Sequence, residues 1–241
     1  MKRNFAGLTD TGVVRSVNQD SYHIDDPQGR FFIVADGMGG HAGGQEASKI
    51  ATKTIQAYLE KYWDDSEITS DVLLKEAIEK ANQDILEDQS LHPERGDMGT
   101  TVVVTIFRES PWCVHVGDSR LYRWRDSQLE QVTEDHTWVS LAMKSGEITK
   151  EQAKVHPWRH VLSQCLGRKD LFRVDLQELD VRSGDLLLMC SDGLTEEVSD
   201  EEIQTLLNES SDCQQVAPKL ISAAKEAGGS DNITVVMVAE N

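Results

Sequence analysis

Two apolar runs in this chain end on an aspartate that is followed at once by glycine. Phe31–Phe32–Ile33–Val34–Ala35 leads into Asp36–Gly37, and Leu186–Leu187–Leu188–Met189–Cys190 leads through Ser191 into Asp192–Gly193. Each reads as a buried strand, a carboxylate at its end, then a turn. Asp231 is the mirror image, with Ser230–Asp231–Asn232 opening the run Ile233–Thr234–Val235–Val236–Met237–Val238. A fold in which these strand ends converge gathers three carboxylates at the rim of a core. They cannot all stay ionised there without a cation, and no lysine or arginine adjoins any of them in sequence. A hard divalent ion with oxygen ligands, Mg2+ or Mn2+, is the simplest remedy.

The 241 residues suit one domain with a large core, although length alone leaves two small domains open. A net charge of −18 repels nucleic-acid phosphates and anionic membrane surfaces, so neither is expected as a partner. Cys113, Cys165, Cys190 and Cys213 show no CxxC spacing. A zinc knuckle and a disulfide framework are therefore not expected, and a reducing cytoplasm fits. The opening Met1–Lys2–Arg3–Asn4–Phe5 runs into a polar turn without the apolar stretch of a signal peptide, and no run approaches a membrane span. A cytoplasmic monomer is expected.

Short strand patterns fill the chain to Ala35, with Asp26–Pro27–Gln28–Gly29 as a hairpin signal. After a glycine-rich loop come two helical patterns, about 45–63 and 70–88, the second with Ser70 as its N-cap. Residues 102–107, 112–116, 120–124 and 129–132 follow with strand patterning and short turns, which predicts an antiparallel meander. The segment 135–167 breaks the pattern. Strands at about 173–179 and 186–190, helices near 200–207 and 213–227, and a final strand complete the chain. Antiparallel strands interrupted by helical pairs predict a single α+β domain with two helical layers covering two sheets.

The motifs in order are Arg15 and Asp20 within GVVRSVNQD, DGMGGHAGG at 36–44, MGTT at 98–101, GDSR at 117–120, SDG at 191–193 and SDN at 230–232. Together they resemble the metal-dependent serine/threonine protein phosphatases of type 2C, especially their compact bacterial and cyanobacterial forms. The resemblance runs from about Ala6 to Ala239. Its specificity lies in the order of the motifs, since each alone is weak. It implies a central antiparallel β-sandwich flanked by pairs of helices (four layers, αββα), a two-metal site at one end, and a flap formed by 135–167.

On that resemblance, Asp36 bridges two Mg2+ or Mn2+ ions, the Gly37 carbonyl holds the second ion, and Asp192 and Asp231 hold the first. Asp20 orients water from outside the ligand set, and Asp118 joins Asp192 at a third, weaker ion. Two such ions, about 3.5–4 Å apart, hold and acidify a bridging water that attacks phosphorus in line. Arg15 is the phosphate clamp, since a guanidinium fork binds two phosphoryl oxygens. His41 protonates the leaving group or serves only the loop, because Met38–Gly39–Gly40 separate it from the Asp–Gly pair that it directly follows in eukaryotic members. Trp138, Trp158 and His160 of the flap contact the phosphoprotein or pack the flap onto the body.

The implied activity is hydrolysis of phosphoserine and phosphothreonine in proteins. The cyanobacterial likeness implies the nitrogen-regulatory protein PII as a substrate. A catalytically silent module of the same fold is expected to have lost one of Asp36, Asp192 or Asp231, and all three are present. A nucleotide cradle is disfavoured, because neither GxxxxGK[ST] nor GxGxxG spacing occurs in the glycine loop.

Overall fold

The computed structural model describes residues 3–40, 43–171 and 173–240. In chain order the elements are β1 (Asn4–Asp10), β2 (Asp20–Ile24), β3 (Phe31–Met38), α1 (Gly43–Tyr62), α2 (Ser70–Leu91), β4 (Gly99–Thr100), β5 (Val102–Phe107) and β6 (Pro111–Val116). There follow β7 (Arg120–Arg125), β8 (Gln128–Gln131), α3 (Trp138–Lys144), α4 (Lys150–Lys154), β9 (Asp175–Glu178), β10 (Leu186–Cys190), α5 (Asp192–Thr195), α6 (Asp200–Glu209), α7 (Cys213–Ala227) and β11 (Ile233–Ala239).

The strands form two antiparallel sheets, ordered β1-β11-β10-β7-β8 and β2-β3-β5-β6-β9, with β4 paired to β3. Side-chain alternation assigns each strand residue to a layer. Phe32 and Val34 point between the sheets, where they meet Val103, Leu187, Met189 and Val236. Phe31 and Ile33 point outward into the layer of α1 and α2. The other outer layer sets α6 and α7 against Leu188, Cys190, Val235 and Met237. Both faces of the central strands are thus buried, which is why they read as continuous apolar runs although their pairing is antiparallel. This is the expected four-layer αββα architecture. Each fully buried Phe, Leu or Val contributes roughly 1.5–3 kcal/mol to it.

Two expectations need correcting. The meander does not form: β5–β6 is a hairpin in one sheet and β7–β8 a hairpin in the other. The chain changes sheets at Gly117, whose φ of +105° is open to glycine and whose Cβ would lie 2.6 Å from Thr101. The N-cap of α2 is Thr69, not Ser70; Ser70 is already helical, and its hydroxyl donates to Glu109 (2.7 Å).

The segment 135–167 contains α3 and α4, capped by Thr137 and by a Thr149–Gln152 capping box. Single bridges, Thr137 to Leu162 and Thr100 to Leu166, pin it. All four cysteines are buried and free. No helix among the described residues is long and apolar enough to cross a membrane.

Candidate active site

Register brings the first two carboxylates together. Asp20 opens β2 and is the direct cross-strand partner of Asp36 near the end of β3. The MGTT and GDSR motifs hold Asp36 in place. Its carbonyl accepts from Thr101 N and Thr100 Oγ1 (both 2.8 Å), and its N–H donates to Thr101 Oγ1 (3.1 Å), which in turn lies 2.6 Å from Ser119 Oγ. Asp20 is fixed from the other sheet: its Oδ2 accepts from Ser191 Oγ (2.7 Å) and Thr234 Oγ1 (2.6 Å). Its Oδ1 is buried without a partner, and so is Oδ1 of Asp192.

Neither Asp–Gly pair makes the expected turn. Gly37 continues β3 and Gly193 lies in the first turn of α5, neither with positive φ. They are glycines because backbone passes against them. A Cβ on Gly37 would sit 2.0 Å from the Gly44 carbonyl, and one on Gly193 2.0 Å from the Asn232 carbonyl. A Cβ on Gly44 would in turn stand 2.7 Å from the Gly37 oxygen.

The carboxylates perturb one another. Burial, and then the charges of Asp20, Asp192 and Asp118, raise Asp36 well above the ordinary carboxyl range. Burial, followed by Asp192 and Asp135, does the same to Asp118. Burial and Asp231 raise Asp192. In Asp20 burial outweighs the Thr234 and Ser191 hydrogen bonds, the charge of Asp192 adds to it, and the group rises to about 7. The structure therefore gathers Asp20, Asp36, Asp118, Asp192 and Asp231 into one electrostatic group, built from four strand ends and the β6–β7 corner.

Arg15 lies at its edge, half exposed, with Nη2 donating to Asp231 Oδ2 (2.7 Å). The loop carrying it is anchored by Val13 N and Val14 N, which donate to the Gly229 carbonyl (2.8 and 3.3 Å). Asn232, in the SDN motif, ties the same loop down: its Oδ1 accepts from Gln19 N (2.8 Å), and its Nδ2 donates to the Thr11 and Val17 carbonyls (2.9 and 3.0 Å). His41 lies outside the described residues.

Beside the acidic group, a cleft of about 810 Å3 separates the 135–167 segment from α5 and α6, with Asp118 and Asp192 among the residues lining it. His160 Nδ1 meets the Glu196 carboxylate across it, and both side chains reach toward Asp192. Burial, then the charge of Asp192, raises Glu196 to about 7. Trp138 stacks on His156 (4.7 Å between ring centres) and meets Trp158 edge-on at 5.1 Å, so it packs within its own segment while Trp158 is left 54% exposed.

Sequence reasoning missed Glu196, although it stands four residues after Asp192 at helical spacing. It also missed the hydroxyls of Thr101, Ser119, Ser191 and Thr234. Thr234 lies within β11 and the other three just outside strand ends, where a lone Ser or Thr carries no signal of its own.

The chain resembles known proteins along nearly its whole length. The family model for protein phosphatase 2C matches residues 13–228. The serine/threonine protein phosphatase PstP of Mycobacterium tuberculosis is 37% identical over 236 residues, which is 97% of this chain but 44% of PstP, so the chain spans less than half of that relative. Protein phosphatase PhpP of Streptococcus pneumoniae is 34% identical over 242 residues, 97% of this chain and 96% of PhpP. The crystal structure of M. tuberculosis PstP/Ppp superposes with a TM-score of 0.88 at 36% identity, covering 100% of both chains. A PstP catalytic domain in complex with two manganese ions gives 0.85 at 34% identity, covering 99% of this chain and 98% of that one. By its motifs, its four-layer sandwich, its strand-end carboxylates and these relatives, the chain belongs to the protein phosphatase 2C family.

Proposed function

We propose that this chain hydrolyses phosphoserine and phosphothreonine in proteins, with Mg2+ or Mn2+ held by Asp36, Asp192, Asp231 and the Gly37 carbonyl, and a third, weaker ion by Asp118 with Asp192. The observation that carries this reading is the mutually repelling set of carboxylates, with buried, unpartnered oxygens on Asp20 and Asp192. Such a set is stable when cations occupy it, and an all-oxygen donor set selects hard ions. The glycine at 44 keeps the Gly37 oxygen clear of side chains.

Bound ions supply a nucleophilic water and offset the charge that develops on the phosphoryl group. The chain's own residues do the rest. Thr101 and Ser119 fix Asp36 through its backbone, so that its carboxylate is presented without rearrangement. Ser191 and Thr234 occupy one oxygen of Asp20 and leave the other to orient water. Arg15, tied to Asp231 through Nη2 alone, has the remainder of its fork for phosphoryl oxygens. His160 borders the cleft on the 135–167 side, which we read as a flap within one catalytic domain and as the place where the phosphoprotein is met, with the exposed Trp158 of the same segment, supported by Trp138, as a further contact. His41 remains a candidate proton donor.

The resemblance to cyanobacterial phosphatases makes PII the substrate to test first. Four buried free cysteines and a charge of −18 support a reducing cytoplasm and a monomer as the working form. The deciding assay is phosphate release from a phosphopeptide with Mn2+, Mg2+ or EDTA, together with Asp36→Ala. Turnover that survives EDTA, or an Asp36→Ala protein within about tenfold of wild type at saturating Mn2+, removes the reading.

A further inference from the structure

We propose that Val13 and Val14 form, beside Arg15, a subsite for an apolar side chain that the phosphoprotein carries two residues from its phosphoserine or phosphothreonine. This deepens the proposed function and rests on Arg15 as the phosphate clamp. Val13, Val14 and Val17 are 62%, 70% and 43% exposed, so valines turned to solvent lie on both sides of Arg15 in the chain. Single apolar side chains on a surface need no explanation. These are not scattered. Of the ten large apolar side chains exposed among the described residues, three lie in this loop and four in the segment 135–167. Apolar side chains gathered in this way mark places where another molecule docks.

Both segments border the acidic group. Arg15 Nη2 donates to Asp231 Oδ2 (2.7 Å), and His160, the chain neighbour of the exposed Val161, brings a ring nitrogen within 4.8 Å of an Asp192 carboxylate oxygen. The loop also holds its valines as a fixed surface. Gly12 has a φ of +79°, and a Cβ there would lie 2.1 Å from the Asp231 carbonyl oxygen, so the loop starts with its backbone against the residue that supplies a site carboxylate. A Cβ on Gly229 would meet Val13 Cγ2 at 2.8 Å, so one methyl of Val13 rests on the Gly229 backbone while most of the side chain stays open. Val13 N and Val14 N donate to the Gly229 carbonyl, and Asn232 Nδ2 donates to the Thr11 and Val17 carbonyls, which ties the loop at both ends. β-Branched side chains on a tied backbone have little rotamer freedom left to lose, so covering them costs little entropy.

The geometry of an extended substrate sets which residue arrives there. Side chains alternate along an extended chain, so the residues two before and two after the phosphorylated one share its face, about 6.6 Å along. With the phosphoryl group on Arg15, one of these two comes down beside the clamp, onto Val13 and Val14. Partial burial of a leucine there, in place of a serine, favours the peptide by roughly five- to tenfold.

The test compares kcat/KM in Mn2+ for phosphopeptides that differ only in carrying leucine or serine two residues before the phosphoserine, and for a second pair that differ two residues after it. The wild type should prefer leucine at one of the two positions by roughly five- to tenfold, and the double variant Val13→Thr/Val14→Thr should lose that preference. Threonine keeps the β-branched shape and exchanges one methyl for a hydroxyl. The ratio is internal to each protein, so a general loss of activity cancels from it. Metal-dependent turnover of the phosphopeptides with no leucine preference, or a preference that survives the double variant, would overturn the subsite and leave the proposed function standing. Absence of phosphopeptide turnover would overturn both. A wild type that sediments as a dimer, which the double variant dissolves, would assign the valines to a second copy of the chain and overturn the subsite as well.

Discussion

Asp20 and Asp36 stand directly opposite one another across the β2–β3 ladder, two carboxylates from adjacent strands sharing one pocket. Like charges so placed destabilise a sheet. The structure keeps them there through hydroxyls: Ser191 and Thr234 on Asp20, and Thr101 on the backbone of Asp36. Charge repulsion at this point is therefore stored for a cation to relieve.

Stability without metal should depend on pH in a characteristic direction. Asp20 rises from the ordinary carboxyl range to about 7, so the native state holds a proton there that the unfolded chain has lost. Its contribution is fully present below pH ~4 and is lost as pH rises through about 7, at ~1.4 kcal/mol for each pH unit spanned. The neutral His115 and His136 act in the opposite sense below pH ~6.5, so the comparison is made against Asp20→Asn. In EDTA, Asp20→Asn should melt higher than wild type at pH 7.5, with the gap narrowing to about a third by pH 5 and closing only near pH 4. A gap that is constant across that range counts against a protonated Asp20.

Arg15→Ala should raise KM for phosphorylated substrates by roughly ten- to a hundredfold, the equivalent of a charge-assisted hydrogen bond worth about 1.5–3 kcal/mol. The same change frees Asp231 from its ion pair, so metal binding should be unchanged or tighter. Steady-state kinetics and calorimetric Mn2+ titration on one preparation check both. Unchanged KM and kcat return Arg15 to a purely structural tie.

Asp118→Ala removes a carboxylate that is repelled by Asp192 and Asp135. The metal-free protein should therefore melt no lower than wild type. Two tightly bound ions should remain, while turnover of nitrophenyl phosphate falls steeply. Normal kcat with a lowered melting temperature would instead mark an ordinary structural aspartate.

Gly193→Ala places a methyl group 2.0 Å from the Asn232 carbonyl. The start of α5 must then move away from the β11 entry, carrying Asp192 from Asp231. A loss of about 1–3 kcal/mol, as for other overpacked sites, should accompany weaker Mn2+ binding. A denaturant melt with and without Mn2+ separates the two effects. Wild-type stability in this variant would show that α5 is not pressed against the strand.

The layers of the fold were legible because burial on both faces gave continuous apolar strands such as β3 and β11, and because α1 and α7 carry apolar residues at helical spacing. The carboxylates were legible because Asp36, Asp192 and Asp231 sit where those runs stop. Other features depend on what comes from elsewhere in the chain. The change of sheet at Gly117 hides in a sequence that reads as four even strands. The glycines at 37 and 193 look like turn residues, but they answer to Gly44 and Asn232, which no local pattern reveals. Glu196 and the supporting hydroxyls of Thr101, Ser119, Ser191 and Thr234 acquire meaning only when two sheets meet.

β11 lies in the middle of its sheet, between β1 and β10, and Asn4 pairs with Ala239. On the ribosome, residues 4–10 are therefore made early but wait for residues 233–239 before they gain a neighbour. The same late strand brings Asp231. Pairing across so much sequence makes folding slow and leaves open edges meanwhile. A chain that stops before residue 231 lacks the centre of one sheet and part of its acidic group, and is expected to leave the β1 and β10 edges open to unwanted pairing.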